Sequence, residues 1–287
     1  MENTKVGRIA TAAWVIGSIV VTSFLTSRRD RKRRSEVAPV FKGELGANLT
    51  TPANVTFAIM WPTIYAGTVG LAIHQALPSQ VDNPRYENAT RWLAANYLIN
   101  GVYGSLFSHG EKLARVAANV VTIAQLPTVL ALHNALEVGK TEVAEPEKTF
   151  QRTAGIYAGW TTVASGLAVT NLLIEAGYRV SHKRAEPYAV GVLSILGAIG
   201  LVVSKKLNDP YYLLPFVMGF TGVAAKQHGR NDLVAGVAGA LALTVAGVFV
   251  QRVRDAKVGV TELGNDEMAA KAALDEMAEE PYYIDMD

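Results

Sequence analysis

The sequence contains no cysteine, which excludes disulfides, thiolate metal sites and thiol catalysis and leaves the redox compartment unread. Charge is scarce as well. Asp, Glu, Lys and Arg make up 18% of the residues, against about 25% in an ordinary soluble domain. The charges nearly cancel, to a formal +2, so nucleic acid is not an expected partner. There is no Gly-rich phosphate loop, no HExxH and no GxSxG. No nucleophile, base and acid stand at spacings that would bring them together, so the chain does not read as an enzyme. No apolar stretch alternates with period two as a barrel strand would.

Half of the 287 residues are hydrophobic, and their distribution carries the signal. Charges fall in short runs separated by long stretches that hold none. Apolar runs cover Ile9–Thr26, Ala53–Leu77, Trp92–Ser108, Ala114–Leu136, Ala154–Ala176, Tyr188–Ser204, Tyr211–Ala225 and Leu233–Val250. Most approach the roughly 20 residues that a bilayer demands of a helix. Tyr211–Ala225 is short enough to be tilted or re-entrant. The first run is followed, not preceded, by the basic cluster Arg28–Arg34, so it reads as a span and not as a signal peptide. The chain is therefore expected to be an all-α, polytopic, multi-pass membrane helical bundle of about eight spans. The expected division is a five-helix core over 1–178, a three-helix region over 179–254 and an acidic polar tail over 255–287.

Pro78, Pro187 and Pro210 fall at span boundaries, where proline is tolerated. Trp92, Tyr188, Tyr211 and Tyr212 fall where amphipathic rings prefer the headgroup level. The basic cluster Arg28–Arg34 should stay cytoplasmic, with the acidic loop Glu137–Glu147 opposite. Gly236, Gly239 and Gly247 give the last span a small-residue face suited to close helix contact, within the chain or with a second copy. Beyond Arg254 the chain turns acidic; it reads as a solvated tail, with a short amphipathic helix over Glu267–Glu280 as the alternative.

No Asp, Glu, Lys or Arg sits in the middle of a span, which counts against an ion-coupled pump. The intramembrane polar groups are Asn96 and Asn100, four apart on one helical face, with Gln125 and Asn171. They either bond helix to helix or line a cavity. Of the five histidines, His74 and His133 lie near span ends, as interfacial polar groups or as axial haem ligands. Asn48, Asn54 and Asn88 open N-x-T sequons; only Asn88 is placed for glycosylation, and only in a secretory-pathway membrane.

The strongest constellation is the second span with its approach. Phe41-x-x-x-Leu45 and Thr51-Pro52 lead into Phe57-x-x-x-Trp61-x-x-x-Tyr65. Aromatics at every fourth residue form one stripe along a helix. Such a stripe is either a packing ridge or a wall on which a flat apolar ligand can stack.

At these residues the sequence resembles the translocator protein / tryptophan-rich sensory protein (TspO/MBR) family. Leu45, Thr51, Pro52, Phe57, Trp61 and Tyr65 fall on that family's loop and second-helix signature, with Phe41 in place of its first Trp. Asn100-x-x-Tyr103-Gly104-x-x-Phe107 is similar to its third helix, and Tyr157, Trp160, Ala164 and Leu167 to its fifth, with Asn171 standing three residues beyond the family's Asn. Trp61-Pro62-Thr63-Ile64-Tyr65 and Ala225-Lys226-Gln227 are similar to an enlarged branch with extra C-terminal helices. The family's loop Lys-Pro, second Trp and second Pro are here Ala47-Asn48, Thr50 and Ala53; the loop tryptophans that the family ties to photochemical breakdown of porphyrin are absent.

The resemblance implies a five-helix core whose first loop covers a ligand cavity. It implies a ligand-binding or sensory membrane protein for a planar apolar molecule, a tetrapyrrole such as porphyrin or haem, or a sterol-like lipid. No cofactor is required. The site would comprise Phe41 and Leu45 in the loop with Phe57, Trp61, Tyr65, Asn100, Tyr103, Phe107, Tyr157, Trp160 and Asn171. Expected partners are the bilayer, a hydrophobic small molecule and a second copy in a homodimer. The alternative readings are a small-metabolite transporter or channel, an intramembrane enzyme, and an assembly role for the acidic tail.

Overall fold

The structure, a computed structural model, describes residues 2–36, 47–107, 111–178 and 182–279. Among them the regular structure is entirely helical. The helices are α1 (Glu2–Glu36), the short α2 (Ala47–Thr50), α3 (Asn54–His74), α4 (Pro84–Phe107), α5 (Lys112–Ala135), α6 (Glu147–Glu175), α7 (His182–Leu207), α8 (Leu214–Gln227) and α9 (Asp232–Glu279). Short 3₁₀ turns at Pro78–Gln80 and Pro210–Leu213 lead toward α4 and α8. The chain forms two compact units, Met1–Ala246 and Gly247–Asp287. The second unit holds the C-terminal part of α9, which continues helically to Glu279.

Each apolar run of the sequence has become a helix. Five of these helices are long and apolar enough to cross a bilayer: Lys5–Leu25, Asn54–His74, Lys112–Ala135, Arg184–Leu207 and Asp232–Ala256. Helices α4, α6 and α8 fall outside that set for different reasons. Helix α4 carries Arg85, Glu87 and Arg91 in its first turns. Helix α8 has 14 residues, about 21 Å of rise, which is short of the roughly 30 Å hydrocarbon core.

Helix α6 is the instructive case. It packs against α2, α3, α5, α7, α8 and the Pro210–Leu213 turn, so its stretch from Thr153 to Ala168 meets mostly protein, while Val169 and Leu173 beyond it are exposed. Small and hydroxylated residues fill its buried stretch, from Thr153-Ala154-Gly155 through Thr161 and Thr162 to Ser165. Their threonine hydroxyls bond back to the helix itself, as Thr161 and Thr162 do to the Ala158 carbonyl at 3.0 and 2.9 Å, whereas Ser165 Oγ donates to the Thr122 carbonyl of α5 at 3.5 Å. A helix enclosed in this way needs little hydrophobicity of its own, because close backbone contact does the packing.

Gly155 and Gly159 make that contact. They lie four apart on the α6 face that receives the turn before α8. A Cβ at Gly155 would overlap the Asp209 carboxylate, and one at Gly159 would overlap the Tyr212 carbonyl oxygen. The turn is further held by the Thr162 and Tyr212 hydroxyls, 2.6 Å apart.

Successive connections gather at opposite ends of the bundle. At one end Arg8, 2% exposed, holds the link from α3 to α4. Its guanidinium donates to the carbonyls of Gln75 (3.4 Å), Gln80 and Asn83 (3.3 Å). The site lies beyond the C-terminus of α3, where backbone carbonyls favour a cation. The same end carries the Arg85–Glu147 pair at 2.8 Å and the buried His133–Asp209 pair at 3.1 Å. At the other end Arg115 of α5 pairs with Glu175 of α6 at 2.6 Å.

Gly159→Val should destabilise the protein by about 1–3 kcal/mol, the usual cost of overpacking, because the neighbouring atom is backbone and cannot rotate away. Gly236→Ala, whose added Cβ meets nothing within 4 Å, should leave the Tm unchanged or slightly raised. Thermal unfolding of both variants in one detergent checks the contrast.

Candidate functional site

The aromatic stripe of α3 lies over α6. The Phe57 and Trp160 rings meet edge to face with centroids 5.5 Å apart, and Trp61 meets Trp160 likewise at 6.1 Å. Trp61 and Tyr65 stack at 5.3 Å with 30° between their planes. These are favourable aromatic geometries. The burial is uneven across the cluster. Phe57, Trp61 and Tyr65 are half-buried, whereas Tyr157, Asn100 and Trp160 are 0%, 1% and 2% exposed. The α3 rings form a wall, and the α4 and α6 residues form its floor.

Beside the floor, a ring of hydrogen bonds joins α4, α5 and α6. Gln125 Nε2 donates to Tyr157 Oη at 2.8 Å, and Tyr157 Oη donates to Asn96 Oδ1 at 2.7 Å. Asn96 Nδ2 donates to Thr128 Oγ1 at 3.1 Å, and Thr128 Oγ1 donates to the Gln125 carbonyl at 2.7 Å. The circuit closes on itself. Tyr97 and Thr68 share a further hydroxyl–hydroxyl bond between α4 and α3. Asn96 and Gln125 thus bond helix to helix.

Asn100 behaves differently, one turn along the same face. Its side chain comes within hydrogen-bonding range of the Tyr65 and Tyr157 hydroxyls, yet its Oδ1 is buried without a partner. Trp160 Nε1 is likewise buried without one. An acceptor on α4 and a donor on α6 therefore stand unpaired in the residues that border the aromatic wall. Leaving a buried polar atom unpaired costs about 1–3 kcal/mol, so a bound polar group is worth seeking at each.

The structure thus brings together Phe57, Trp61, Tyr65, Asn100, Tyr157 and Trp160 from the sequence reading. Tyr103 is half-buried, one turn beyond Asn100. Phe107 is the last residue of α4; its side chain, like residues Phe41 and Leu45, lies outside what the structure describes. Asn171 stands apart. It is about 16 Å along α6 from Trp160, and its Nδ2 donates to Asn119 Oδ1 of α5 at 3.3 Å. Both candidate histidines are engaged elsewhere: His74 Nδ1 with Tyr86 Oη at 2.8 Å, His133 Nε2 with Asp209. Among the described residues no group of three or more His, Asp or Glu is placed to hold a metal.

Sequence reasoning left the last three helices without a role. The structure ties α8 and the turn before it to the core at both ends. At the far end, besides His133–Asp209, Asn208 Nδ2 donates to the Gly139 carbonyl at 2.9 Å, and Asp209 Oδ1 accepts from the Tyr211 amide at 2.9 Å. At the near end, α8 holds the segment that leads into α3. The Ala53 amide donates to the Gly222 carbonyl at 3.1 Å. Lys226 Nζ donates to the Thr51 carbonyl at 3.1 Å, and Gln227 Nε2 to the Leu49 carbonyl at 3.3 Å. A Cβ on Gly222 would strike Thr56 and Pro52, so only glycine admits this approach. Burial, and then the nearby Arg230 charge, hold the Lys226 ammonium below the ordinary lysine range. The one available signal was Lys226-Gln227 itself, a polar pair closing an apolar run.

No curated protein and no solved structure matches the chain. A family model does. The model of the TSPO-like proteins aligns with residues 8–251. That range extends past the first five long helices through α7 and α8 and into α9, so the clasping helices fall within the family's own pattern. The chain belongs to the TSPO-like protein family.

Proposed function

We propose that this integral, multi-pass membrane protein of TspO-like type binds a planar, largely apolar small molecule, a tetrapyrrole or a sterol-like lipid, against the aromatic wall of α3. One observation carries the reading. Half-buried rings of Phe57, Trp61 and Tyr65 stand over a buried floor in which Asn100 Oδ1 and Trp160 Nε1 lack partners. Rings held at stacking distances offer π faces to a flat ligand. The two unpaired atoms offer one acceptor and one donor to its polar edge. The hydrogen-bond circuit of Asn96, Tyr157, Gln125 and Thr128 favours binding over transport, since these polar groups satisfy one another and leave no polar row for a solute to follow.

The chain has four tryptophans, and they separate site from background. Protoporphyrin IX added to protein in detergent should shift its Soret band and quench tryptophan fluorescence. Quenching should survive in the Trp14→Phe, Trp92→Phe double variant, whose remaining Trp61 and Trp160 both border the site. Trp61→Ala should weaken binding about fivefold to tenfold, the ~1 kcal/mol of a stacked ring pair. Absence of both spectral changes with porphyrin and with a fluorescent sterol overturns the reading.

The two asparagines of α4 should part company. Asn96→Ala removes two links of the circuit and should lower the Tm, each interhelical bond contributing about 0.6 kcal/mol. Asn100→Ala, outside the circuit, should lower the Tm by less than Asn96→Ala while weakening ligand binding. Melting curves and binding isotherms on the two variants check this.

A further inference from the structure

The match to the TSPO-like family ends at residue 251, yet α9 continues helically to Glu279. The stretch beyond the match belongs to the second compact unit, Gly247–Asp287. Among the described residues that unit holds this one helix and no other element. A helix in a protein draws most of its stability from packing an apolar face, not from propensity. Propensity is weak here in any case, because Gly259 and Gly264 interrupt the stretch, each about 1 kcal/mol less favourable than alanine. No second element of the unit stands beside the helix, so its packing partner must come from outside.

The sequence supplies an apolar face for that partner. Val253, Val260, Glu267 and Leu274 recur every seven residues, and Ala256, Leu263, Ala270 and Met277 stand three residues after each. All but Glu267 are apolar. A strict 3.5-residue period is the heptad of a left-handed coiled coil, with these residues at its a and d positions. A stripe of two residues in seven fits a narrow seam between two helices, not the broad face of a helix lying on a membrane. Charge points the same way. A surface helix is drawn to anionic lipid by Lys and Arg on its polar face. From Glu262 onward the outer b, c and f positions hold Glu262, Asp275, Glu276 and Glu279 and no Lys or Arg.

We infer that the C-terminal half of α9 pairs with the same stretch of a second copy of this chain, as a parallel, in-register, two-stranded coiled coil. Two copies inserted the same way in one bilayer send this helix out on the same side, so parallel is the orientation open to them. The flanks of the seam are self-complementary. In a parallel pair each g position meets the e position five residues on in the other copy. Gly259 then meets Gly264, Asp266 meets Lys271 and Ala273 meets Ala278. The like-charged pair, Arg252 with Lys257, falls where the span ends at Ala256, at the depth of the lipid phosphates. Glu267 is the polar a position. A single polar residue in a seam fixes register at a cost in stability, and Lys271, one turn on in the same helix, offsets its charge.

The chain's lack of cysteine makes the register readable. In a parallel, in-register pair identical d positions stand within disulfide reach of each other, while identical f positions lie on opposite sides of the pair. The full chain carrying Leu263→Cys or Ala270→Cys at d, or Asn265→Cys or Ala272→Cys at f, is reconstituted at low density in phosphatidylcholine vesicles and oxidised. Cross-linked dimer should form several-fold faster at both d positions than at both f positions. In the Ala270→Cys background, Leu274→Asp should bring the rate down to that of the f positions and Glu267→Leu should raise it, with the Tm of the membrane bundle unchanged in both. Equal rates at d and f, no cross-linking at any of the four positions, or a rate untouched by Leu274→Asp overturns the coiled coil. No ligand enters the measurement, so its outcome is independent of the aromatic site.

Discussion

Helix α6 is enclosed by its neighbours over Thr153–Ala168, and that enclosure governs the rest of the molecule. A helix facing lipid is held by apolar side chains; a helix facing other helices can be held by backbone approach and by hydrogen bonds. Because α6 belongs to the second kind, Gly155 and Gly159 can admit the Asp209–Tyr212 turn against its backbone. That docking brings α8 alongside. It also leaves Tyr157 and Trp160 free to serve as a floor, since neither is needed to meet the bilayer.

Polar groups follow the same logic. In hydrocarbon an unsatisfied donor or acceptor is expensive, so intramembrane polar residues must find one another. Asn96, Gln125, Tyr157 and Thr128 do so completely. Arg8, a buried cation, is held by three carbonyls at a helix end in place of a carboxylate. His133 and Asp209 hold each other. Five buried side-chain atoms among the described residues lack partners, Arg8 Nε, Gln75 Nε2, Arg152 Nε, Asn100 Oδ1 and Trp160 Nε1, and the last two border the aromatic wall of α3. Hydrogen-bond satisfaction thus differs within one residue type: Asn96 and Asn100 share a helix face, yet only Asn96 joins the circuit between helices.

The C-terminal helices belong in the same picture. The turn before α8 attaches to the core at one end through the buried His133–Asp209 hydrogen bond, and α8 attaches at the other through three bonds to a single backbone segment. The segment that leads into α3 is held by α8 through the Ala53 amide and the Thr51 and Leu49 carbonyls. Backbone acceptors suit this task because they persist whatever the loop sequence becomes.

Much of the fold was legible in the sequence. Long uncharged runs determine helices in a bilayer, because no other structure satisfies the backbone there without a closed barrel. The four-residue repeat of Phe57, Trp61 and Tyr65 determines one helical stripe by geometry alone. So the helices, the wall and the family resemblance could be read from residues 9–176 of the sequence. Other features were decided only by tertiary contact. Whether Asn96 or Asn100 has a partner depends on Thr128 and Tyr157, which are far away in the chain. Asn171 lies on α6 with Trp160 but bonds to Asn119, because the turns of the helix carry it away from the aromatic wall. The sequence alone could not assign the last three helices, since the Lys226 and Gln227 acceptors are carbonyl oxygens that every residue possesses. Periodicity reveals which side chains share a face; only the packed chain decides which backbone atoms they meet.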